Sequence, residues 1–336
     1  MRKFAQKVLS LFDKNEKEII EQLVAMTDSF SFNPVSVHKL GKCVVLTANT
    51  GENRCLLVVA DCKKRLLPGF EGEITPLEDG GILLTGECNV QNAIALKQHF
   101  PWCAPTRIPS DGLTVGIQLD QNEDKSLSTA RESGGFPVIF ATLTAAVFAV
   151  FSSDNRGGYA LFGGVAATVS QAEKMLAAGA TLIGLHPAGG TASDDYADKT
   201  FVLDGGDVVK FSPETAKHCS SYYGNLPELA GKVAVIAGKH DLGIVLDETD
   251  RATTPAEHLF IVRELHRRNI DFAVLFLSWS SDPTEFENML RSHMAIARTF
   301  AGYRLAVPAE RIPKNFSASD KELHLGYLKK GYVDEI

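Results

Sequence analysis

The sequence predicts an α/β protein: a (β/α)8-type barrel, whether or not the ring is complete, with an N-terminal β-rich extension. Three observations point there. From about residue 112, short apolar runs alternate with segments of helical periodicity. The runs "LTVGIQL", "FPVIFA", "YALFG", "ATLIGL", "LGIVL", "IDFAVLFL" and "YRLAV" are near-continuously apolar, as parallel strands covered on both faces are. No run is followed by a phosphate-binding fingerprint. "LFGGVAATV" lacks the third glycine and the acidic residue of a dinucleotide site, and "GLHPAGG" lacks the P-loop lysine. An open doubly wound sheet also fits the alternation, but the missing fingerprint favours the barrel, where sites assemble from several strand ends. The expected division is residues 1–110 as an N-terminal α+β region and 111–336 as the barrel domain.

In chain order, "MRKFAQKVLSLFDKNEKEII" sets Phe4, Val8, Leu9, Leu11 and Phe12 among charges, the pattern of an amphipathic surface helix. It lacks the apolar stretch and cleavage site of a signal peptide. "VSVHKLGKCVVLTA" and "RCLLVVAD", separated by "NTGEN", read as a hairpin, and "LLPGFEGEITPLEDGGILLTGE" has the punctuation of further turns. "NVQNAIALKQHF" reads as a short helix closed by Pro101. "GGFPVIFATLTAAVFAVF" is uncharged and long enough to raise a membrane helix. Pro137, the glycine pair and two threonines oppose that reading. A buried strand over 136–141 followed by a buried helical or irregular run accounts for the same residues.

Three later helices are marked by their caps. "TVSQAEKMLAAG" offers Thr168 or Ser170 as N-cap, a buried face of Ala172, Met175 and Leu176, and Gly179 as stop. "TPAEHLFIVRELHRRN" has Thr254 as N-cap, Pro255 at the first helical position and Glu257 at the third, a capping box. Leu259, Val262 and Leu265 form its apolar stripe, and His266, Arg267 and Arg268 complement its negative end. "DPTEFENMLRSHMAIARTFAG" repeats the pattern with Asp282, Pro283 and Glu285, then Phe286, Met289, Leu290, Ile296 and Phe300. From Leu242 to Val307 the chain therefore reads strand, helix, strand, helix, strand.

The net charge of -7 and the lack of a basic stripe with interleaved aromatics argue against nucleic acid as a partner. Six cysteines at positions 43, 55, 62, 88, 103 and 219 show neither CxxC spacing nor a zinc-module pattern, as expected of reduced thiols in a cytoplasmic protein. No membrane association is expected, and a homo-oligomer is left open.

Barrel chemistry belongs just after each apolar run. Those positions offer Asp120, Thr142 with Thr144, Gly163 with Gly164, His186, Asp247 with Glu248, Ser278 with Trp279 and Ser280, and Pro308. Asp247 and Glu248 stand out because "GIVLDETD" ends a fully apolar run in three acids. A carboxylate there can hold a divalent metal or act as a base, or it can simply be solvated while Asp247 and Asp250 bond the turn. His186, before Pro187 and a glycine pair, is a metal ligand, a proton donor, or a half-buried ring bonded to a backbone carbonyl. His258 lies in the first turn of its helix, on a face turned to the strand-end cleft or to solvent. His240 precedes its strand, at the end of a barrel associated with stability. No GxSxG motif or cysteine nucleophile context occurs.

The segment "IVLDETDRATTPAEHLFIVRELHRRNIDFAVL" resembles the tagaturonate epimerase family, in which a strand ending Val-Asp-Glu-Thr runs into Thr-Thr/Ser-Pro and a helix with an early His. Here these are Leu246, Asp247, Glu248, Thr249, Thr254, Pro255 and His258. The likeness continues through "DPTEFENMLRSHMAIARTFAGYRLAV" and is looser upstream, at "FPWCAPTRIP" and "AAGATLIGLHPAGG". The resemblance implies a divalent-metal-dependent enzyme interconverting D-tagaturonate and D-fructuronate at C4. It would use Glu248 and Asp247 as catalytic groups, His258 and Thr249 to bind the sugar acid, and Glu248 with His186 on the metal. Departures are equally visible. The family's His-Ser-Gly-Ser-Asp-Lys strand end is replaced at Pro308, Ala309 and Glu310, and its Gln-Gln-Ser-Ile-Arg-Glu run by "ATLTAAVF". No Lys or Arg remains at a strand end for the substrate carboxylate. The expectation is thus a family-like fold with an altered site, either an epimerase or a catalytically degenerate homologue that binds carbohydrate or another protein. Another barrel aldolase or isomerase acting on a different sugar is a further option, and the lack of a strand-end lysine opposes the lysine-dependent aldolases.

Overall fold

A computed structural model describes residues 1–24, 31–50, 53–110, 114–119, 127, 130, 132, 134–187, 189–246, 251–307 and 323–325, the last in backbone only. The chain divides into two compact units. One comprises Met1–Ala104, Leu119–Thr129 and Thr142–Gly158, the other Pro105–Gln118, Ala130–Ala141 and Tyr159–Ile336.

The first unit is built on an antiparallel sheet. Its strands are β1 (Ser31–Phe32), β2 (His38–Leu40), β3 (Cys43–Thr50), β4 (Asn53–Ala60), β5 (Glu73–Pro76) and β6 (Ile82–Glu87), in the order β1-β3-β4-β6-β5 with β2 paired to β3. Its helices are α1 (Arg2–Ser10), α2 (Glu16–Val24), α3 (Val90–His99) and α4 (Leu143–Ser152). Successive strand side chains point to opposite faces. Val44, Leu46, Leu57 and Val59 accordingly pack with Phe4, Val8, Ile19 and Leu23 from α1 and α2. Val45, Leu56, Val58 and Leu84 pack with Leu96 of α3 and Val147, Phe148 and Phe151 of α4. Both faces are covered, which is why "CVVL" and "LLVVA" read as continuous apolar runs although the sheet is antiparallel. The uncharged segment that raised a membrane span is a barrel strand, Phe136–Phe140, followed by α4. Among the described residues no helix is long and apolar enough to cross a membrane.

The second unit is a closed barrel of parallel strands. They are β7 (Thr114–Gln118), β8 (Phe136–Phe140), β9 (Ala160–Ala166), β10 (Leu182–Leu185), β13 (Asp241–Val245), β14 (Val274–Phe276), β15 (Arg304–Val307) and β16 (Leu323–Leu325). Seven match the apolar runs of the sequence. The eighth, β16, closes the ring by pairing with both β15 and β7. A small hairpin of β11 (Thr200–Val202) and β12 (Val208–Lys210) lies between β10 and β13, followed by α6 (Pro213–Tyr223) and α7 (Leu226–Ala237). The other barrel helices are α5 (Val169–Ala177), α8 (Pro255–Arg267) and α9 (Pro283–Phe300). Their N-termini are those the caps specified: capping boxes Thr168–Gln171 and Thr254–Glu257, and Asp282 accepting from the Glu285 N–H.

Alternation sorts the strands. Val138, Phe140, Phe162, Leu182, Val245, Val274, Phe276 and Ala306 fill the barrel. Ile183, Leu185, Leu242, Ile244, Leu275, Leu305 and Val307 face the helices. Room for Phe162 and Phe276, whose ring centroids lie 5.7 Å apart, comes from Gly184 and Gly243. A Cβ on Gly184 would stand 2.9 Å from Val245 Cγ2 and 3.1 Å from Phe162 Cζ.

Gly163 and Gly164 are not a strand end, as anticipated, but lie inside β9. The register to β10 shifts between the Leu182–Phe162 and Gly184–Val165 pairs, placing one extra residue in β9. Gly164, at φ 104°, supplies the backbone conformation such a bulge uses. The strand thus runs on to Ala166, and Val165 joins Phe162 on the barrel side.

Candidate functional site

Paired residues on neighbouring strands face the same side of a sheet. Gln118 pairs with Phe140, so it projects inward at the C-terminal mouth. His186 follows Leu182 and Gly184 on the inward parity of β10, and Ser278 follows Val274 and Phe276 on that of β14. Gln118, His186 and Ser278 are half-buried, above a layer made by Phe140, Phe162, Val245, Phe276 and Ala306. The described mouth is therefore a polar rim on an apolar floor.

His186 is positioned by its own backbone: its N–H donates to Ala166 O at 3.2 Å, and its Nδ1 lies 2.8 Å from Pro187 O. A carbonyl can only accept, so Nδ1 carries a proton, and in the neutral ring the lone pair is on Nε2. That is the tautomer of a metal-ligating or proton-accepting imidazole whose other nitrogen is oriented by the backbone. Asp247, Glu248, Thr249 and Asp250 lie outside the described residues, as do Asp120 and Pro308. Among the described residues no group of three or more His, Cys, Asp or Glu could hold a metal ion. Thr142 serves a different end: its hydroxyl accepts from Ala145 N and caps α4. Trp279 donates its indole N–H to Ala306 O at 2.9 Å.

The residues flanking 247–250 are firmly tied. Leu246 N–H donates to Phe276 O at 2.8 Å. On the far side Thr253 N–H donates to Ser278 O at 2.9 Å, and Ser278 N–H returns to Thr253 Oγ1 at 3.0 Å. Arg251 reaches Glu257 with both terminal nitrogens, Nη1 to Oε2 at 3.0 Å and Nη2 to Oε1 at 2.5 Å. Glu257 is 1% exposed and also accepts from Thr254 N and Oγ1, both at 2.8 Å, and from Tyr223 OH at 2.9 Å. Burial alone would raise its pKa. The Arg251, Thr254 and Tyr223 donors outweigh burial and hold it down to about 2. Burial and the same carboxylate push the Tyr223 phenol up. His218 Nε2 lies 2.9 Å from Glu257 Oε1 and 2.7 Å from Arg251 Nη2, so with a hydrogen on Nε2 it donates to the acid and without one it accepts from the arginine. This cluster borders a cleft of about 560 Å³ lined also by Val209, Lys210 and Thr254.

His258 faces neither cleft nor solvent. Its ring is fully buried, with Nδ1 3.0 Å from His293 Nδ1 and Nε2 2.7 Å from Tyr303 OH. It packs between α8, α9 and the start of β15 because helix position 258 lies on the stripe side with Leu259, Val262 and Leu265. At the opposite end of the barrel, Asp241 accepts from Arg107 Nε at 2.9 Å, Arg107 Nη2 at 2.7 Å and Ile108 N at 2.7 Å. His240 bonds Ala237 O there at 2.6 Å. The Arg251–Glu257 pair and the His258–His293–Tyr303 set were missed by sequence reasoning, since their partners come from separate elements. The capping-box position of Glu257 was the one local signal.

Residues 188–310 match the family model described as tagaturonate epimerase. A tagaturonate/fructuronate epimerase of Thermotoga maritima is 34% identical over 77 residues, a match spanning 20% of this chain and 16% of that protein's length. The glycerol-bound crystal structure of fructuronate-tagaturonate epimerase from Cohnella laeviribosi superposes with a TM-score of 0.73 at 20% identity, over 93% of this chain and 74% of that one. Its native form gives a TM-score of 0.70 with the same coverage. The chain resembles the tagaturonate epimerase family in sequence and shares the fold of these enzymes.

Proposed function

We propose that the protein is an epimerase of keto-uronates of the tagaturonate/fructuronate type, acting at C4 and dependent on a divalent metal, with a remodelled strand-end set. The observation that supports this best is where the resemblance falls. Residues 188–310 begin just after His186 and run through β13, α8, β14, α9 and β15, so they include the described bonds of the residues that flank 247–250. His186, oriented through its Nδ1 by a backbone carbonyl, and Glu248 would hold the ion. A bound divalent ion would stabilise the negative charge that develops on oxygen whether the C4 centre inverts by retro-aldol cleavage or by proton removal. Glu248 and Asp247 are the proposed groups for proton movement at C4, and Thr249 a contact for the sugar hydroxyls. His258 is not retained as a substrate contact, because both its nitrogens are engaged away from the mouth. The Arg251–Glu257 pair anchors the chain that follows these residues.

Incubation of purified protein with D-tagaturonate and Mn²⁺, Zn²⁺ or Ni²⁺, followed by chromatographic separation of the keto-uronates, tests the proposal. Fructuronate above the no-enzyme blank is expected with at least one metal, and none with any metal rejects it. A second reading, a catalytically silent homologue that binds a sugar acid, is favoured by one observation: Thr142, at the end of β8, is engaged as the cap of α4. Uronate-dependent thermal stabilisation without turnover would select that reading.

A further inference from the structure

His258, His293 and Tyr303 form a polar chain inside the packed layer of α8, α9 and β15 that the proposed chemistry does not use. Both imidazoles are 0% exposed and the phenol 5%. Such a layer is costly in principle, because burying polar groups sacrifices hydration that Phe or Leu would not lose. The costs are offset only if every group finds a partner.

Here every group does, and in one direction only. His293 Nε2 lies 3.0 Å from Thr253 O, and a carbonyl can only accept, so Nε2 bears the hydrogen. Burial drives the His293 pKa down to about 4, so the ring is neutral and its Nδ1 carries a lone pair. His258 Nδ1, 3.0 Å from that lone pair, must be the N–H. Burial, then the neighbouring His293, also lowers the His258 pKa, so its Nε2 is bare and accepts the Tyr303 O–H at 2.7 Å. Reversing either ring sets two lone pairs or two hydrogens against each other.

The chain ends on Thr253. That residue is 3% exposed, and its N–H, hydroxyl oxygen and carbonyl are each bonded: the first two to Ser278 at the end of β14, the third to His293. We propose that Tyr303, His258 and His293 are positioning residues that fix Thr253, and with it the return of the chain from β13 into α8, against the β14 strand end at the barrel mouth. The geometric claim stands by itself, and the catalytic consequence rests on the epimerase reading. An apolar layer would fill the same volume, but it would not fix the orientation of a carbonyl. A hydrogen-bond chain with one permitted direction does.

Long-range ¹H–¹⁵N spectra of the full chain read the tautomers directly. His258 is expected as the Nδ1–H form and His293 as the Nε2–H form, both neutral at about pH 7. An imidazolium or a reversed tautomer at either ring overturns the proposal. Hydrogen exchange then reads the coupling. In His293→Phe the Thr253 and Ser278 amides should exchange at least about tenfold faster while those of β9 are unchanged. His293→Gln, whose side-chain amide can still donate to the carbonyl, should restore most of the protection. Unchanged exchange in His293→Phe overturns the role. Should that variant fail to fold, Tyr303→Phe removes only the first bond: faster exchange of the Thr253 amide, with His258 still in the Nδ1–H form that His293 fixes, is then the expected signature, and unchanged exchange overturns the role. If the wild type epimerises keto-uronates, His293→Phe should lower kcat about tenfold with KM within about twofold, and His293→Gln should recover kcat. A change confined to KM contradicts positioning. A wild type without turnover rejects the epimerase reading and leaves tautomers and exchange to decide the chain.

Discussion

Replacing Glu257 by Gln removes one charge and almost no volume from the clamp on Arg251, and its cost can be worked from the structure. The folded carboxyl is held at about 2, against 4.5 for the unperturbed group. A shift of about 2.5 units at 1.36 kcal/mol each makes the ionised form about 3 kcal/mol more favourable in the fold than the neutral one. Glutamine mimics the neutral form, so Glu257→Gln should destabilise by about 3 kcal/mol at neutral pH, in line with breaking one side of a buried ion pair. The sign of the pH dependence follows. The folded pKa lies below the unfolded one, so the stabilisation is complete above pH 4.5 and is lost as pH falls toward 2. The difference between wild type and variant should shrink to about 2 kcal/mol at pH 3.5 and vanish near the folded pKa. Urea unfolding of both proteins, followed by circular dichroism and tryptophan fluorescence, measures it. A difference below about 0.5 kcal/mol at pH 7, or one that stays constant down to pH 3.5, would refute the reasoning.

Two further substitutions test the barrel. Asp241→Asn leaves Arg107 and the Ile108 N–H facing an amide in place of a carboxylate that is 4% exposed, and should cost about 2 kcal/mol or more in urea unfolding. Gly184→Ala places a methyl 2.9 Å from Val245 Cγ2 and 3.1 Å from Phe162 Cζ, and should cost about 1–3 kcal/mol by the same measurement through overpacking.

Much of the second unit was legible because its signals are local. Thr254, Pro255 and Glu257 define a helix start within four residues, and Asp282, Pro283 and Glu285 repeat it. Continuous apolar runs located seven of the eight barrel strands. What escaped depends on partners distant in sequence. Leu323–Leu325 is three residues long and is a strand only because β15 and β7 flank it. "LFGG" looked like a strand end because glycines usually punctuate, whereas here they bend a strand that continues. His258 looked accessible from its place in the first helical turn, yet its partners His293 and Tyr303 lie 35 and 45 residues away. The candidate rim shows the same division. His186 and Ser278 followed from strand periodicity, and the Arg251 clamp did not.

The closure of the barrel has a kinetic side. β7, near residue 114, must meet β16, near residue 325, so the pairing that seals the ring spans most of the chain and has high contact order. Until it forms, β7 and β15 present unpaired parallel edges beside apolar strands, the kind of surface that templates association with another chain. A three-residue strand thus stands between a closed ring and a sticky open sheet, and the window for misassembly lasts until Leu323–Leu325 docks.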